Sequence, residues 1–202
     1  MSIDQIMRAA PVIPVLVLEQ EMDWAALAET FVGAGLPVLE VTLRTPLALE
    51  AIRQMSNVDG AIAGAGTVLN ERQLDEAAEA GSRFIVSPGL TETLAKAVAR
   101  SGIPFLPGVA TAGDIMRGLD LGLDRFKFFP AVASGGIPAL KALSGPFGQI
   151  RFCPTGGVTP DSASDWLSLE PVLCVGGTWF VKPGDDLAAI GERARAAALL
   201  RA

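Results

Sequence analysis

Short apolar runs recur along this 202-residue chain at a nearly constant spacing. They cover residues 12–18, 38–43, 61–65, 83–86, 103–106, 125–129, 150–153 and 172–175. Their first residues lie 20 to 26 positions apart, a step that fits one strand, one helix and two short loops. Eight such units predict an α/β fold in which eight parallel strands close into a single (β/α)8 barrel. A doubly wound open sheet is the alternative, but no larger composition break marks a switch point.

Helical patterns fill several of the intervals between these runs. Asn70, Thr91 and Thr111 each precede such a pattern and are residue types that cap a helix N-terminus. We predict helices over residues 23–32, 71–80, 91–100, 111–120, 160–169 and 185–200. A short helix over residues 2–9 is expected to cover the bottom of the barrel. Because no linker or low-complexity stretch interrupts the chain, residues 1–202 are predicted to form a single TIM-barrel domain.

The composition excludes several kinds of functional site. The chain has no histidine, so a Ser-His-Asp triad, a Cys-His pair or a histidine metal ligand cannot form. Sixteen basic against 22 acidic residues give a net charge of −6, which argues against nucleic acid as a partner. Cys153 and Cys174 are too few for a disulfide framework. Without an 18-residue apolar stretch or a signal sequence, a cytoplasmic protein with no membrane partner is predicted.

The second run carries polar residues at alternate positions. Glu40, Thr42 and Arg44 share one face of the predicted strand, whereas the apolar residues between them share the other. This alternation predicts a carboxylate, a hydroxyl and a guanidinium inside the barrel, rising towards the C-terminal mouth where barrel sites lie. The alternative interpretation is an internal Glu–Arg ion pair that only stabilises packing.

The sixth run holds one of the chain's four lysines. Lys127 lies within the apolar segment 126–129 (FKFF), and lysine is rarely buried without a reason. Burial would lower its pKa and supply a neutral amine that can attack a carbonyl group. The alternative is a snorkelling lysine whose stem packs on the phenylalanines. Arg125 on the same face, and Arg151 on the next run, are expected near the barrel bottom, and no function is predicted for either.

Glycine turns follow the last two runs, in segments 153–160 (CPTGGVTP) and 175–179 (VGGTW). Many barrels bind phosphate at these two loops through backbone N–H groups, and Thr178 could add a hydroxyl donor. Tight turning alone is the alternative role of these glycines. Segments 64–67 (GAGT) and 87–89 (SPG) also end strands at the mouth. On spacing alone, Thr67 and Pro88 are as well explained by a loop cap and a turn as by a functional role.

Five segments together resemble the bacterial 2-keto-3-deoxy-6-phosphogluconate (KDPG) aldolases. They are residues 40–45 (EVTLRT), 64–69 (GAGTVL), 87–89 (SPG), 126–130 (FKFFP) and 151–157 (RFCPTGG). The resemblance runs in order from Pro11 to about Phe180. It implies a class I, Schiff-base aldolase with a TIM-barrel fold and no metal or other cofactor. It also implies a homotrimer whose ligands are a phosphorylated keto-sugar acid and pyruvate.

The resemblance implies a role for each matched polar residue. Lys127 matches the lysine that forms the Schiff base with the substrate keto group. Glu40 matches the general acid/base, which works through a bound water. Arg44 and Thr67 match residues that hold the pyruvate carboxylate, and Thr155 lies close to the same centre.

The resemblance also implies a lining and a phosphate site. Pro88 and Phe129 match apolar contacts of the pocket. The residues at the family's phosphate site are Gly156, Gly157, Gly177 and Thr178. Family members often have serine at the position of Thr178, so the hydroxyl is kept and a methyl group is added. Segment 131–136 (AVASGG) departs from the acidic, Asn-containing version expected beside the lysine strand.

The implied reaction is the cleavage of 2-dehydro-3-deoxy-6-phospho-D-gluconate to pyruvate and D-glyceraldehyde 3-phosphate. A related aldolase acting on 4-hydroxy-2-oxoglutarate, or on 2-dehydro-3-deoxy-6-phosphogalactonate, is the alternative within the family. Two other classes are a phosphate-binding barrel without catalysis and a metal-dependent aldolase of similar fold. A barrel without catalysis would lack the buried lysine or the carboxylate at position 40. A metal-dependent aldolase would need carboxylates as metal ligands.

Overall fold

The computed structural model describes residues 1–200 and contains eight parallel strands within that range. The strands are β1 (Val12–Leu16), β2 (Val38–Thr42), β3 (Ile62–Gly66), β4 (Ile85–Ser87), β5 (Phe105–Val109), β6 (Arg125–Phe128), β7 (Arg151–Pro154) and β8 (Val175–Gly177). The helices are α1 (Ile3–Arg8), α2 (Trp24–Gly33), α3 (Ala48–Met55), α4 (Glu71–Glu79), α5 (Glu92–Ser101), α6 (Ala112–Asp120), α7 (Gly136–Ser144), α8 (Pro160–Leu167) and α9 (Leu187–Ala198). Neighbouring strands follow the order β7-β6-β5-β4-β3-β2-β1-β8, so the first strand, β1, is hydrogen-bonded to the last strand, β8.

Two isolated bridges connect the ends of this sheet. Phe152 pairs with Val172 and Thr155 pairs with Gly176, both in the parallel sense, so β7 also approaches β8. The sheet therefore curls into a nearly closed barrel with helices outside it. The predicted (β/α)8 fold is confirmed, and the open sheet is not what the chain forms.

Two helices, α3 and α7, have no counterpart in the predicted set. Helix α3 follows Leu47, whose side chain makes no capping hydrogen bond. Helix α7 follows Gly135, which has a left-handed backbone with a φ of 103°. Neither start carries the Ser, Thr, Asp or Asn residue that marks the other helices. None of the helices within residues 1–200 has both the length and the apolar composition of a membrane span.

Side chains alternate along each strand between the inside of the barrel and the surrounding helices. The inward apolar side chains of the strands and of the residues just before β4 and β8 form one buried cluster, with Ile13, Val38, Ile62, Phe84, Val86, Leu106, Cys153 and Cys174. The residues between them pack against the helices in a second, larger cluster. Glu40 and Lys127 are each flanked by members of this outer cluster, so both side chains point inward.

Helix α1 closes the bottom of the barrel, as predicted. Two of its side chains are buried in the inner cluster, Ile6 and Met7. Nε of Arg125 donates a hydrogen bond of 2.6 Å to Oδ1 of Asp4, which ties the helix to the first residue of β6. Arg151 is in register with Arg125 and forms an ion pair of 2.6 Å with Glu170. Both arginines therefore lie at the bottom, and their contacts are structural.

Replacing Asp4 by asparagine is expected to lower the free energy of unfolding by about 1 kcal/mol at pH 7, because an ion pair is lost. Hydrogen bonds from Arg125 and Arg8 hold the pKa of the Asp4 carboxyl below its usual range. Such a carboxyl stabilises the fold above about pH 4, and this stabilisation is lost as the pH falls through the folded-state pKa. Urea unfolding of wild type and Asp4→Asn should therefore differ at pH 7 and converge in acid.

The control for this prediction is Asp120→Asn, since Asp120 is exposed at the end of α6. We expect this variant to unfold at the wild-type urea concentration at each pH. A difference for Asp4→Asn that stays the same from neutral to acidic pH would contradict the role of the ion pair.

Candidate active site

Lys127 and Glu40 form an ion pair inside the barrel. Nζ of Lys127 donates to Oε1 of Glu40 over 2.8 Å, and the two residues are only 5% and 3% exposed. The lysine comes from β6 and the carboxylate from β2, so the pair joins two strands that are not neighbours. The amine is therefore buried on a carboxylate rather than reaching solvent, and Glu40 is paired with the lysine rather than with Arg44.

A glycine on β3, Gly66, leaves the space that the Glu40 carboxylate occupies. Gly64 is in register with Glu40, and Gly66 lies at the next inward position of the same strand. A Cβ atom at Gly66 would lie 2.4 Å from Oε1 of Glu40, which is closer than side-chain atoms approach. Any other residue at position 66 would therefore displace the carboxylate from Lys127.

Arg44 and Thr67 meet at the rim of the barrel mouth. Nε of Arg44 donates to Oγ1 of Thr67 over 3.2 Å. Arg44 is exposed and lies beyond the end of β2, so it is at the rim rather than inside the barrel as strand alternation predicted. Thr67 has a φ of 59°, a left-handed conformation that costs a β-branched residue about 1–3 kcal/mol. Strain of this kind concentrates at functional sites, and here it accompanies a hydroxyl in contact with a guanidinium.

The two glycine turns lie side by side at the mouth. Thr155 pairs with Gly176, and a Cβ atom at Gly176 would lie 2.2 Å from Oγ1 of Thr155. This contact brings the loop after β7 next to the end of β8. The turn residues on either side of it are Gly156, Gly157, Gly177 and Thr178. Thr178 is exposed, so its hydroxyl is accessible to a ligand at the mouth.

The two apolar residues predicted to line the pocket lie near Lys127. Nζ of Lys127 is 5.4 Å from the centre of the Phe129 ring. Pro88 follows β4, and its carbonyl oxygen lies 2.1 Å from where a Cβ atom of Gly108 would be. Gly108 is in register with Lys127 on the next strand, so the Pro88 turn lies close to the lysine. Phe129 and Pro88 are both half-buried, so each retains surface for contact with a ligand.

Sequence reasoning predicts the Thr42 hydroxyl inside the barrel, which is where it lies, but it predicts no role for two further buried side chains there, Cys153 and Cys174. Oγ1 of Thr42 donates to the carbonyl of Leu16 over 3.0 Å and so joins β2 to β1. Cys153 is in register with Lys127 on the neighbouring strand. Interaction with the neighbouring Cys153 thiol, together with burial, raises the pKa of the Cys174 thiol. Strand alternation is the signal that could have placed the two cysteines inside the barrel as well.

The fold and the site define a class of protein. It is a (β/α)8 barrel whose mouth combines a buried lysine–carboxylate pair, an arginine at the rim and two adjacent glycine turns. A lysine amine can form a covalent bond to a carbonyl carbon, and a carboxylate can carry the protons that such a reaction moves. Arginine suits a carboxylate, and glycine turns suit a phosphate. Within residues 1–200, no three His, Cys, Asp or Glu side chains are grouped as a possible metal site.

Known proteins of this class are closely similar to the chain. Residues 3–192 match the family model of KDPG and KHG aldolase. The 2-dehydro-3-deoxy-phosphogluconate aldolase of Zymomonas mobilis is 56% identical over 201 residues, which is 99% of this chain and 97% of that protein. The chain therefore belongs to the KDPG and KHG aldolase family, and it is an aldehyde-lyase. The resemblance carried by five short segments is confirmed over almost the whole length.

Solved structures agree with this assignment. The 2-keto-3-deoxy-6-phosphogluconate aldolase of Zymomonas mobilis ZM4, crystallised with 3-phosphoglycerate, superposes with a TM-score of 0.95 at 57% identity, over 98% of this chain and 96% of its own. The KDPG aldolase of Legionella pneumophila superposes with a TM-score of 0.90 at 44% identity, over 96% and 97% of the two chains. That enzyme was crystallised with pyruvate captured at low pH as a covalent carbinolamine intermediate.

Proposed function

We propose that this chain, as one domain, is a class I aldolase that cleaves 2-dehydro-3-deoxy-6-phospho-D-gluconate to pyruvate and D-glyceraldehyde 3-phosphate. The observation that carries the proposal is the buried contact of 2.8 Å between Nζ of Lys127 and Oε1 of Glu40. A lysine amine forms a Schiff base with a keto group, and a carboxylate at this distance can receive and return the protons that the reaction moves.

The first half of the reaction joins the substrate to Lys127. The amine gives a proton to Glu40 and adds to the C2 carbonyl carbon, forming a carbinolamine. Glu40 then returns this proton to the C2 hydroxyl, which leaves as water, so an iminium ion forms and Glu40 is again a carboxylate. Arg44 and Thr67 hold the C1 carboxylate at the rim, where the guanidinium fork can bind both oxygens. The carbinolamine captured in the Legionella relative supports this step.

The second half breaks the carbon–carbon bond. Glu40 takes the proton of the C4 hydroxyl, directly or through a water molecule. The electrons of the C3–C4 bond move to the iminium, so glyceraldehyde 3-phosphate leaves and an enamine remains on Lys127. Glu40 returns a proton to C3, and water hydrolyses the resulting iminium to release pyruvate and the free amine. The buried pair thus supplies both the electron sink and the proton carrier.

The glycine turns support a phosphorylated substrate over one without phosphate. Gly156, Gly157, Gly177 and Thr178 are adjacent at the mouth because Thr155 pairs with Gly176. The Zymomonas relative was crystallised with 3-phosphoglycerate, a ligand that also carries a phosphate and a carboxylate. The family model covers KHG aldolases as well, so 4-hydroxy-2-oxoglutarate is the second candidate substrate.

A coupled assay tests the proposal directly. Pyruvate released from 2-dehydro-3-deoxy-6-phosphogluconate would be reduced by lactate dehydrogenase, and loss of NADH absorbance would follow the rate. We expect kcat/KM for this substrate to exceed the value for 4-hydroxy-2-oxoglutarate by at least about tenfold, since a buried or clamped phosphate adds charge-assisted hydrogen bonds. A higher value for the substrate without phosphate would favour the second candidate.

Replacing Thr178 by alanine is expected to weaken the phosphate site without altering the covalent step. Inorganic phosphate should inhibit wild-type turnover by competing with the substrate, and in Thr178→Ala its inhibition constant should rise about fivefold to tenfold, because one hydrogen bond to a charged group is lost. Thr178→Ser keeps the hydroxyl and is the matched control, so its inhibition constant should stay near the wild-type value. Equal inhibition of all three proteins would show that Thr178 makes no phosphate contact.

The assembly and the location are also part of the proposal. We expect a homotrimer in the cytoplasm, and the family resemblance is what supports this expectation. Five large apolar side chains of residues 1–200 are half or more exposed, and three of these lie away from the chain ends, on helix α6 and on loops at the mouth: Leu69, Met116 and Val132. Sedimentation equilibrium should give a mass three times the 21.0 kDa of one chain. A mass of one or two chains would contradict the trimer.

A further inference from the structure

The turn after β4 fills a gap in the barrel wall beside Lys127. Gly108 on β5 is in register with Lys127 on β6, and it lies two residues after Leu106, whose side chain is in the inner cluster. Gly108 therefore belongs to the inner face. A Cβ atom there would lie 2.1 Å from the carbonyl oxygen of Pro88 and 2.3 Å from its carbonyl carbon. Backbone of the Pro88 turn thus occupies the space that any other residue at position 108 would need.

A side-chain hydrogen bond holds the same turn. Oγ of Ser87 donates to the carbonyl oxygen of Gly89 over 2.6 Å, and Ser87 is 1% exposed. The bond links the residue before Pro88 to the residue after it. Because the proline ring also restricts its own φ, the turn has little freedom to move away from β5.

The Pro88 turn lies on the side of Lys127 that is opposite to the phosphate turns. Strand β6 has β5 on one side and β7 on the other. The phosphate turns follow β7 and β8, whereas Pro88 follows β4, beyond β5. Pro88 and the phosphate turns therefore lie on opposite sides of Lys127. If phosphate binds on the β7–β8 side, the part of the substrate that faces Pro88 is the end that becomes pyruvate.

We propose that Ser87 and Gly108 are positioning residues that hold Pro88 as a wall beside Lys127, and that this wall limits the size of the pyruvyl half of the substrate. The proposal rests on the Schiff-base function proposed above. Pyruvate carries only hydrogen at C3, whereas 2-oxobutyrate carries an additional methyl group there. A wall held by a buried hydrogen bond and by backbone contact with Gly108 excludes that methyl group more strictly than a mobile turn would.

The test compares covalent trapping of two oxo acids on Lys127. Each protein is incubated with pyruvate or 2-oxobutyrate and borohydride, and the rate of adduct formation is followed by intact mass. In Ser87→Ala the turn loses its hydrogen bond, so the rate ratio of 2-oxobutyrate to pyruvate should rise about tenfold, the lower end of what a pocket gains from one methylene. In Gly108→Ala the new methyl group pushes Pro88 further inward, so the same ratio should fall.

Gly33→Ala is the matched control, because a Cβ atom at Gly33 in α2 has no atom within 4 Å, and its ratio should equal that of wild type. Opposite shifts in Ser87→Ala and Gly108→Ala cannot come from a general loss of stability. A wild-type ratio in folded Ser87→Ala overturns the wall even when Gly108→Ala does not fold. Absence of any pyruvate adduct in wild type would instead overturn the Schiff-base function on which the wall rests.

Discussion

Lys127→Met is expected to abolish the borohydride-trapped adduct with pyruvate and to lower kcat/KM for cleavage by about four orders of magnitude or more. The reason is that the side chain at position 127 supplies the only bond between enzyme and substrate in the proposed reaction, and losses of this size follow removal of a covalent nucleophile. Methionine fits the same apolar surroundings, since Lys127 lies among the aromatic residues of β6. Intact mass after borohydride reduction and the coupled assay measure the two effects.

Lys141→Met provides the matched control for this prediction. Lys141 is exposed on α7, so the same chemical change is made outside the barrel. This variant should form the adduct at the wild-type rate, and peptide mapping should place the modification on Lys127. A pyruvate adduct of equal yield in Lys127→Met would show that another amine reacts, and the Schiff-base assignment would then be wrong.

Glu40→Gln is expected to keep the pyruvate adduct and to lower kcat by about 10² to 10⁴-fold, the range usual for loss of a general acid/base. Glutamine has nearly the same shape, so it fits the space that Gly66 leaves, but it cannot accept a proton. The covalent step can proceed with water as proton acceptor, whereas cleavage of the C3–C4 bond and return of a proton to C3 need the carboxylate. Adduct formation with pyruvate should therefore be retained in this variant, while the rate of turnover falls.

The control for this variant is Glu79→Gln, because Glu79 is exposed at the end of α4. Its turnover and trapping should both match wild type. Thermal unfolding of Glu40→Gln must show that the barrel remains folded, since a buried ion pair is broken. If folded Glu40→Gln turned over at the wild-type rate, Glu40 would be structural and another group would carry the protons.

Much of the fold could be predicted because its signals are local. The apolar runs identified every strand, and cap residues such as Asn70 and Thr111 located helix starts to within a residue. Where the local signal was weak, the prediction failed: α3 and α7 begin without a side-chain cap. Strand β8 begins at Val175 rather than at Val172, because Val172 makes only an isolated bridge and regular pairing with β1 starts at Val175.

The sequence predicts which residues form the candidate site better than it predicts which of them are in contact. Burial and strand parity indicated Lys127 and Glu40, yet the sequence left open whether Glu40 pairs with Arg44 or with another group. The structure pairs it with Lys127 and moves Arg44 to the rim, since β2 ends at Thr42. The contact between the Pro88 turn and Gly108 has no sequence signal of its own, because an isolated glycine in a strand has several explanations.

The sequence by itself determined the repeating strand–helix units, the helix caps and the inward direction of Lys127 and Glu40. Each of these depends on neighbours within a few positions along the chain. Only the tertiary structure decided that Lys127 and Glu40, 87 positions apart, meet at 2.8 Å, and that Pro88 fills the gap at Gly108. Distances across a barrel depend on the tilt and register of all its strands together, and no local segment carries that information.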